Sequence, residues 1–335
     1  FAAVVLCLAL PWVTIIRGAS IDVPSAIIET PLTVFTVISL AILGLVMCQR
    51  SLSMGLFVVY LAVLAPFANN SLAFSVALWV SGGVGLVICT SYVKRRDWAV
   101  CALIILAELQ ICYVFIQFAG YDPFWFGLIQ APIKYVWTTA AVHGTFGNPG
   151  NLGVVLAAIA PLAPPVILPL FAVGLVLSHS LLSIMAATAG VCWKYRSWKF
   201  AICGFMAFVI AFIIRGVNIL SVWERLRIWG FTWNSSSWWP AMPGSFYLKI
   251  APQLAVIDPT SVYLQEHNEY LQLYYEGGIF AVALLILFFY EYRKAFMGPY
   301  GGALVAIAIS CVGWFVFRQA AVAGPVLLIL GLAKG

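Results

Sequence analysis

Polar and apolar positions along this chain separate into long blocks. Apolar runs fall at about 1–16, 31–48, 55–67, 71–93, 98–119, 151–163, 165–178, 180–193, 198–214, 270–292, 301–316 and 319–334, which predicts about twelve helical spans. Several are shorter than the ~20 residues that cross a bilayer. Pro161, Pro164, Pro165 and Pro169 interrupt the sixth and seventh. Those two are expected to be broken or partly re-entrant helices, which membranes tolerate where other protein covers the freed backbone groups. With no fixed-period repeat, heptad pattern or low-complexity tail, the chain reads as a single membrane domain over 1–335 with elaborated outer loops. The expected fold class is all-α, a polytopic integral membrane helical bundle.

Composition strengthens this reading. Of 335 residues, 64% are hydrophobic and only 8% charged, and the mean hydropathy is +1.05, more than a soluble core of this size needs. Phe1 already lies inside an apolar run, so the natural chain is expected to begin upstream, and residues 1–16 are not read as a cleaved signal peptide. All eight cysteines (Cys7, Cys48, Cys89, Cys101, Cys112, Cys192, Cys203 and Cys311) fall in apolar runs without a CxxC pair, which argues against a disulfide framework or zinc site. Neither an Asp-x-Asp pair nor a His/Cys ligand cluster is present. The expectation is therefore no metal, no cofactor and no nucleotide-sugar site.

The net charge of +6 resides largely in short basic clusters between apolar runs, a pattern that membrane topology explains better than nucleic-acid binding. The positive-inside rule puts Arg50, Lys94-Arg95-Arg96, Lys194/Arg196/Lys199, Arg293-Lys294 and Lys334 on the cytoplasmic side. Two long polar loops, about 120–150 and 215–269, then face outward, together with His143, His179 and His267. Arg17, Lys134, Arg215, Arg225, Arg227, Lys249 and Arg318 also fall outside, which long translocated segments permit.

Three outer segments carry candidate chemistry. In Gly144-Thr145-Phe146-Gly147-Asn148-Pro149-Gly150-Asn151-Leu152-Gly153, Asn148 reads as an N-cap and Pro149 as a first helical position. Such a helix end is either a plain capped start or a receiver for an anion such as a diphosphate. In Trp223-Glu224-Arg225-Leu226-Arg227-Ile228-Trp229, the arginines suit forked binding of phosphate. The same stretch also fits an interfacial helix in an aromatic belt with Trp233, Trp238 and Trp239. In His267-Asn268-Glu269-Tyr270-Leu271-Gln272, a neutral, oriented imidazole can take a proton from an attacking alcohol. A solvated loop histidine is the plainer alternative, and the flanking Glu266, Asn268 and Glu269 favour orientation.

These segments, in this order, resemble the O-antigen ligase and O-antigen polymerase superfamily of bacterial membrane glycosyltransferases, which includes protein O-oligosaccharyltransferases. The resemblance is carried by Gly144–Pro149, by Arg225-Leu226-Arg227-Ile228-Trp229, and by His267–Gln272 with Glu276-Gly277-Gly278. Phe317-Arg318-Gln319-Ala320-Ala321 is a weaker echo. It covers about residue 144 to the C-terminus. It implies metal-independent, inverting transfer of a glycan from a polyprenyl (undecaprenyl) diphosphate carrier to an acceptor hydroxyl at the periplasmic face of the bacterial inner membrane. By resemblance Arg225 engages the diphosphate and His267 activates or positions the acceptor. Arg227, Asn268, Asn148, Arg215, Arg318 and His179 are the candidate substrate contacts. Lipid A-core is the favoured acceptor, with a growing glycan or a protein hydroxyl as alternatives, and membrane lipids are the other partners.

Two departures stand out. Where family members carry a second arginine in a Ser-Arg-Gly-like run, this chain has Ser178-His179-Ser180-Leu181-Leu182, with Leu181 at the arginine's place. The candidates to replace its charge are His179, Arg215 and Arg318. Pro240–Phe246 resembles the family's Gly-rich turn but is shorter, with Gly244 the turn candidate. The rival from another class is a transporter or flippase of an amphipathic anion using the proline-broken spans. Glu108, beside Gln110 and Gln117, is the single acidic residue well inside a predicted span. A through-membrane cavity lined by Glu108 would favour the transporter, and an outward cavity lined by Arg225 and His267 the enzyme.

Overall fold

The computed structural model describes residues 2, 4–5, 34–64, 67, 71–119, 122, 142–215, 219–257, 267–314 and 316–335. Most of the first predicted span, Arg17, most of the 120–150 loop with Lys134, Glu266 and the side chain of Arg215 lie outside the described residues. Every regular element among the described residues is helical, so the described part of the chain is all-α. The helices are α1 (Val34–Cys48), α2 (Leu52–Leu64), α3 (Ser71–Ser91), α4 (Arg96–Phe118), α5 (Pro149–Ile159), α6 (Leu168–Leu177), α7 (Leu181–Tyr195), α8 (Lys199–Arg215), α9 (Ile219–Ser235), α10 (Ala251–Ile257), α11 (Glu269–Met297), α12 (Gly301–Gly313) and α13 (Ala320–Lys334).

Each apolar run from 31 onward coincides with a helix. Two of these, Arg96–Phe118 and Glu269–Met297, are long and apolar enough to cross a membrane among the described residues, and the other apolar stretches are shorter. Helix α5 is buried from Gly150 to Ile159, as befits a helix apolar all round, and it packs against α7, α12, α13 and α6. The prolines act as expected. Pro161 sits in a 3-10 turn that ends α5, and Ala163 and Pro164 are extended before α6 begins with Pro169 in its first turn. The carbonyl of Ala163 is not left bare, since it accepts the Tyr195 hydroxyl at 2.7 Å.

The basic clusters gather at one end of the bundle. Lys334 pairs with Glu291 at 2.9 Å, and Glu291 also accepts from Ser51 Oγ at 2.6 Å and Ser53 N at 2.7 Å. Lys194 Nζ donates to the Pro299 carbonyl at 3.0 Å, and Arg50 lies over the Tyr92 ring at 5.0 Å. The first residues of α5, α7, α11 and α13 and the last of α12 form the other end, where the candidate site residues stand.

Helix α11 is broken at Gly278, whose φ of 60° and ψ of −163° only glycine adopts without strain. The break strips backbone partners from one turn, and residues 238–242 supply replacements. Ala241 N donates to Tyr275 O (3.0 Å), Met242 N to Glu276 O (3.1 Å) and Ile279 N to Trp238 O (3.0 Å). Tyr60 Oη donates to Gly277 O at 2.7 Å. A Cβ at Gly278 would come within 2.8 Å of Pro240 N and of Trp238 O, so the strap can lie against the helix only where the side chain is absent. Gly244 has a left-handed φ of 78°, beside Met242 at 82°, where Ser245 N closes a turn onto Met242 O.

Candidate functional site

The start of α5 is built as the Asn-Pro pair predicts: Asn148 caps the helix by accepting from Gly150 N at 2.8 Å, with Pro149 following. The preceding turn, Gly144–Phe146, is fastened to α4. Gln117 Oε1 accepts from His143 N and Gly144 N (3.2 and 2.8 Å), and Gln110 Oε1 accepts from Thr145 N at 2.9 Å. Gln117 Nε2 reaches Asp122 at 2.9 Å, and the Tyr113 hydroxyl donates to the same carboxylate. The two glutamines near Glu108 thus serve this loop. Nδ1 of His143 lies 2.9 Å from Gly144 O, which requires it to donate, and burial lowers the pKa of this ring.

Trp314, just past α12, organises what the sequence separates. Its indole N–H donates to Asn151 Oδ1 at 2.9 Å, and its ring lies so close to Gly150 that a Cβ there would sit 2.3 Å from it. His267 meets the ring edge-on, with centroids 5.3 Å apart. The Arg225 guanidinium lies over it at 5.6 Å, with Nη1 3.4 Å from the Gly313 carbonyl. The two residues to which resemblance assigns the chemistry therefore share one aromatic surface. His267 has a left-handed φ of 58°, a conformation uncommon outside glycine, and its Nδ1 is buried. Burial, and then the Arg225 charge, lower its pKa from 6.5 to about 4, so the imidazole is neutral at neutral pH.

The remaining candidates divide. Asn268 caps α11, accepting from Tyr270 N (3.1 Å) and Leu271 N (3.0 Å), which sets the exit angle of His267. Arg227 is exposed on α9. His179 stands at φ 54° directly before Ser180 and α7. Leu181 opens α7 as part of the apolar core, and Leu182 lies where a Cβ on Gly313 would come within 2.8 Å of it. Arg318 bridges two carboxylates, Glu269 at 3.3 Å and Glu276 at 3.2 Å. The sequence reading missed Trp314 and Asn151. The one signal for them was Gly150 directly after an Asn-Pro cap, a place where a small residue admits a close neighbour.

A cavity of about 260 Å³ lies between α2, α3, α11 and α13, with Glu269, Glu276 and Arg318 among its lining residues near the start of α11. Neither Glu108 nor Arg225 nor His267 lines it. No family model matches the chain, and no curated protein matches it in sequence.

Proposed function

We propose that this chain is a multi-pass glycosyltransferase of the bacterial inner membrane. It moves a glycan from a polyprenyl diphosphate to an acceptor hydroxyl on the periplasmic face, in the manner of an O-antigen ligase, with lipid A-core the favoured acceptor. The observation that carries this reading is the meeting of Arg225 and His267 on the Trp314 ring, at the end of the bundle opposite the basic clusters. The all-α architecture and the coincidence of apolar runs with helices support the multi-pass part.

In this reading Arg225 holds the diphosphate and stabilises the charge that grows on the leaving group. The helix starts at Asn148 and Ser180 lie beside Trp314 and its neighbour Gly313, and their partial positive charge adds to the same field. Neutral His267 accepts the hydrogen of the acceptor hydroxyl as oxygen attacks the anomeric carbon. The glycosyl–phosphate bond breaks as the new glycosidic bond forms, and the proton passes to the imidazole. A bound diphosphate next to Arg225 offsets the charge that depresses His267 and so makes it a better base in the loaded state.

The test is transfer from a purified polyprenyl-diphosphate glycan to lipid A-core, free lipid-linked glycan or a serine-rich peptide, in detergent with a chelator. Wild type should form one product, and Arg225→Ala and His267→Ala should lose it while remaining folded. Full transfer in either variant would remove the mechanism. The cavity beside α11 is lined by neither Glu108 nor the Arg225–His267 pair, so it does not separate the transferase from an anion transporter, and the transfer assay is what distinguishes them.

A further inference from the structure

Glu269 follows the cap of α11 directly and stands two residues from His267. Its carboxylate reaches across to the link between α12 and α13. Oε1 accepts from Phe317 N at 2.9 Å, and Oε2 accepts from Arg318 Nε at 3.3 Å. Arg318 continues to Glu276, about two turns further along α11, at 3.2 Å. One carboxylate therefore grips a backbone N–H and a guanidinium in the stretch that begins with Trp314.

That stretch cannot hold its own shape. Trp314 leaves α12 in an extended conformation, with φ −150° and ψ 157°, and residues 316–318 turn before α13 begins. Its backbone polar groups need partners from elsewhere. Phe317 finds one on each side: its N–H goes to Glu269 on α11, and its carbonyl accepts the Trp79 indole N–H from α3 at 2.7 Å. On the other side of the contact, His267 stands at a left-handed φ of 58°, and such a backbone persists only where its surroundings fix it. The two residues that follow supply ties, Asn268 as the cap of α11 and Glu269 as the grip on Phe317 and Arg318. The imidazole and the Trp314 ring it meets edge-on are thus joined through the Glu269 carboxylate.

We infer that Glu269 is a positioning residue: by holding Phe317 and Arg318 it keeps Trp314 in register with the start of α11, and so sets where the His267 imidazole stands relative to Arg225. The consequence for transfer rests on the transferase reading, while the placement itself is tested without a glycan donor.

The charged groups about the imidazole are Arg225 from α9 and Glu269 from its own segment, with Arg318 beyond Glu269. Removing the Glu269 charge alone lowers the His267 pKa, because a carboxylate nearby favours the imidazolium. Losing the buried seat on Trp314 raises it toward 6.5. The two causes have opposite signs, so the direction of the change separates position from charge.

The experiment uses the intact protein in detergent micelles with ring-13C-labelled histidine. The chain has three histidines, and their imidazole cross peaks are followed as the pH is lowered through the wild-type His267 value of about 4. Glu269→Gln should raise that value by about one pH unit or more. His143, lowered by its own burial, should titrate as in wild type, which shows that the fold is kept. Glu269→Asp retains the charge and shortens the reach by one methylene, so it should give a smaller rise, and it serves as the test if Glu269→Gln does not fold. In the transfer assay both variants should lose kcat, by ~10-fold for Glu269→Gln, with the donor KM changed by no more than about twofold, because Arg225 holds the diphosphate. A His267 titration unmoved or lowered in the folded variants would overturn the inference and leave the transferase reading intact. A His267 titration that rises as stated in a protein whose wild type transfers nothing would support the placement and count against the transferase reading alone.

Discussion

Lowering the pH should destabilise this protein through His267 in a defined window. In the folded chain the imidazole stays neutral down to about pH 4, held there by burial and by the Arg225 charge. Once unfolded it takes up a proton near its ordinary value of 6.5. Between these values the unfolded chain binds more protons than the folded one, so stability falls as pH falls. Above about 6.5 the group contributes no slope, and below about 4 both states are protonated and the loss is complete. The interval of about 2.5 pH units, at ~1.36 kcal/mol each, makes the full loss about 3 kcal/mol. The assay is chemical unfolding in mixed micelles at steps from pH 7.5 to 3.5, for wild type and for His267→Gln, which cannot titrate. Carboxylates and the other histidines are common to both proteins, so the difference between the two curves isolates His267. It should be flat above pH 6.5, slope by about 1.4 kcal/mol per pH unit in mid-window, and level off near pH 4. Arg225→Gln removes the second cause and leaves burial, so the same loss should shrink without vanishing. A difference curve flat from pH 7.5 to 4 would refute the buried, arginine-facing placement, and so would a larger acid loss in Arg225→Gln.

Three further outcomes follow from the geometry. Trp314→Phe deprives buried Asn151 of its indole donor, a cost of about 1–3 kcal/mol. It also shifts the surface that seats His267 and Arg225, so transfer should fall by ~100-fold or more in a protein that still melts cooperatively; a wild-type rate would show that the ring only packs. Gly278→Ala must place a Cβ against Pro240 N and Trp238 O in a backbone region costing about 1–3 kcal/mol, so the midpoint of thermal unfolding should drop and limited proteolysis should cut within 236–246. Arg318→Gln leaves Glu269 and Glu276 facing each other without their cation, for about 3–5 kcal/mol; Glu276→Gln in the same chain should restore most of that loss, and failure of the rescue would show that Arg318 acts elsewhere.

The helices were legible because apolar runs bounded by basic clusters or Gly/Pro leave few alternatives, and each run from 31 onward became a helix within a few residues. The proline-broken pair at 161–169 was legible for the same local reason. The strap at 238–242 was not. Its hydrogen bonds to Tyr275, Glu276 and Ile279 exist because Gly278 breaks a helix some forty residues away, and only the Gly277-Gly278 pair hints at the break. Arg318 was legible as a cation, but its two partners, two turns apart on α11, depend on how α13 is placed against α11. A scan for residue types cannot tell an arginine held by two carboxylates from one open to a phosphate.

Leu181 makes the sharper case. Judged by side-chain charge, a leucine at the place where the resembled family has an arginine reads as a weaker grip on an anion. In the fold that leucine is the first residue of α7, and Ser180 spends its hydroxyl on Ser183 Oγ at 2.7 Å and not on capping the helix. The first backbone N–H groups of α7 are thus without a side-chain cap, at a helix end that carries roughly half a positive charge. Gly153 brings α5 against Ser180 and Ser183, and Gly313 brings the residue before Trp314 against Leu182. The helix end consequently lies next to the Arg225–His267 surface, where its backbone dipole adds partial positive charge. A dipole's value depends on where the helix points, which is fixed by those two glycine contacts, and neither is visible until α5, α7 and α12 are packed together.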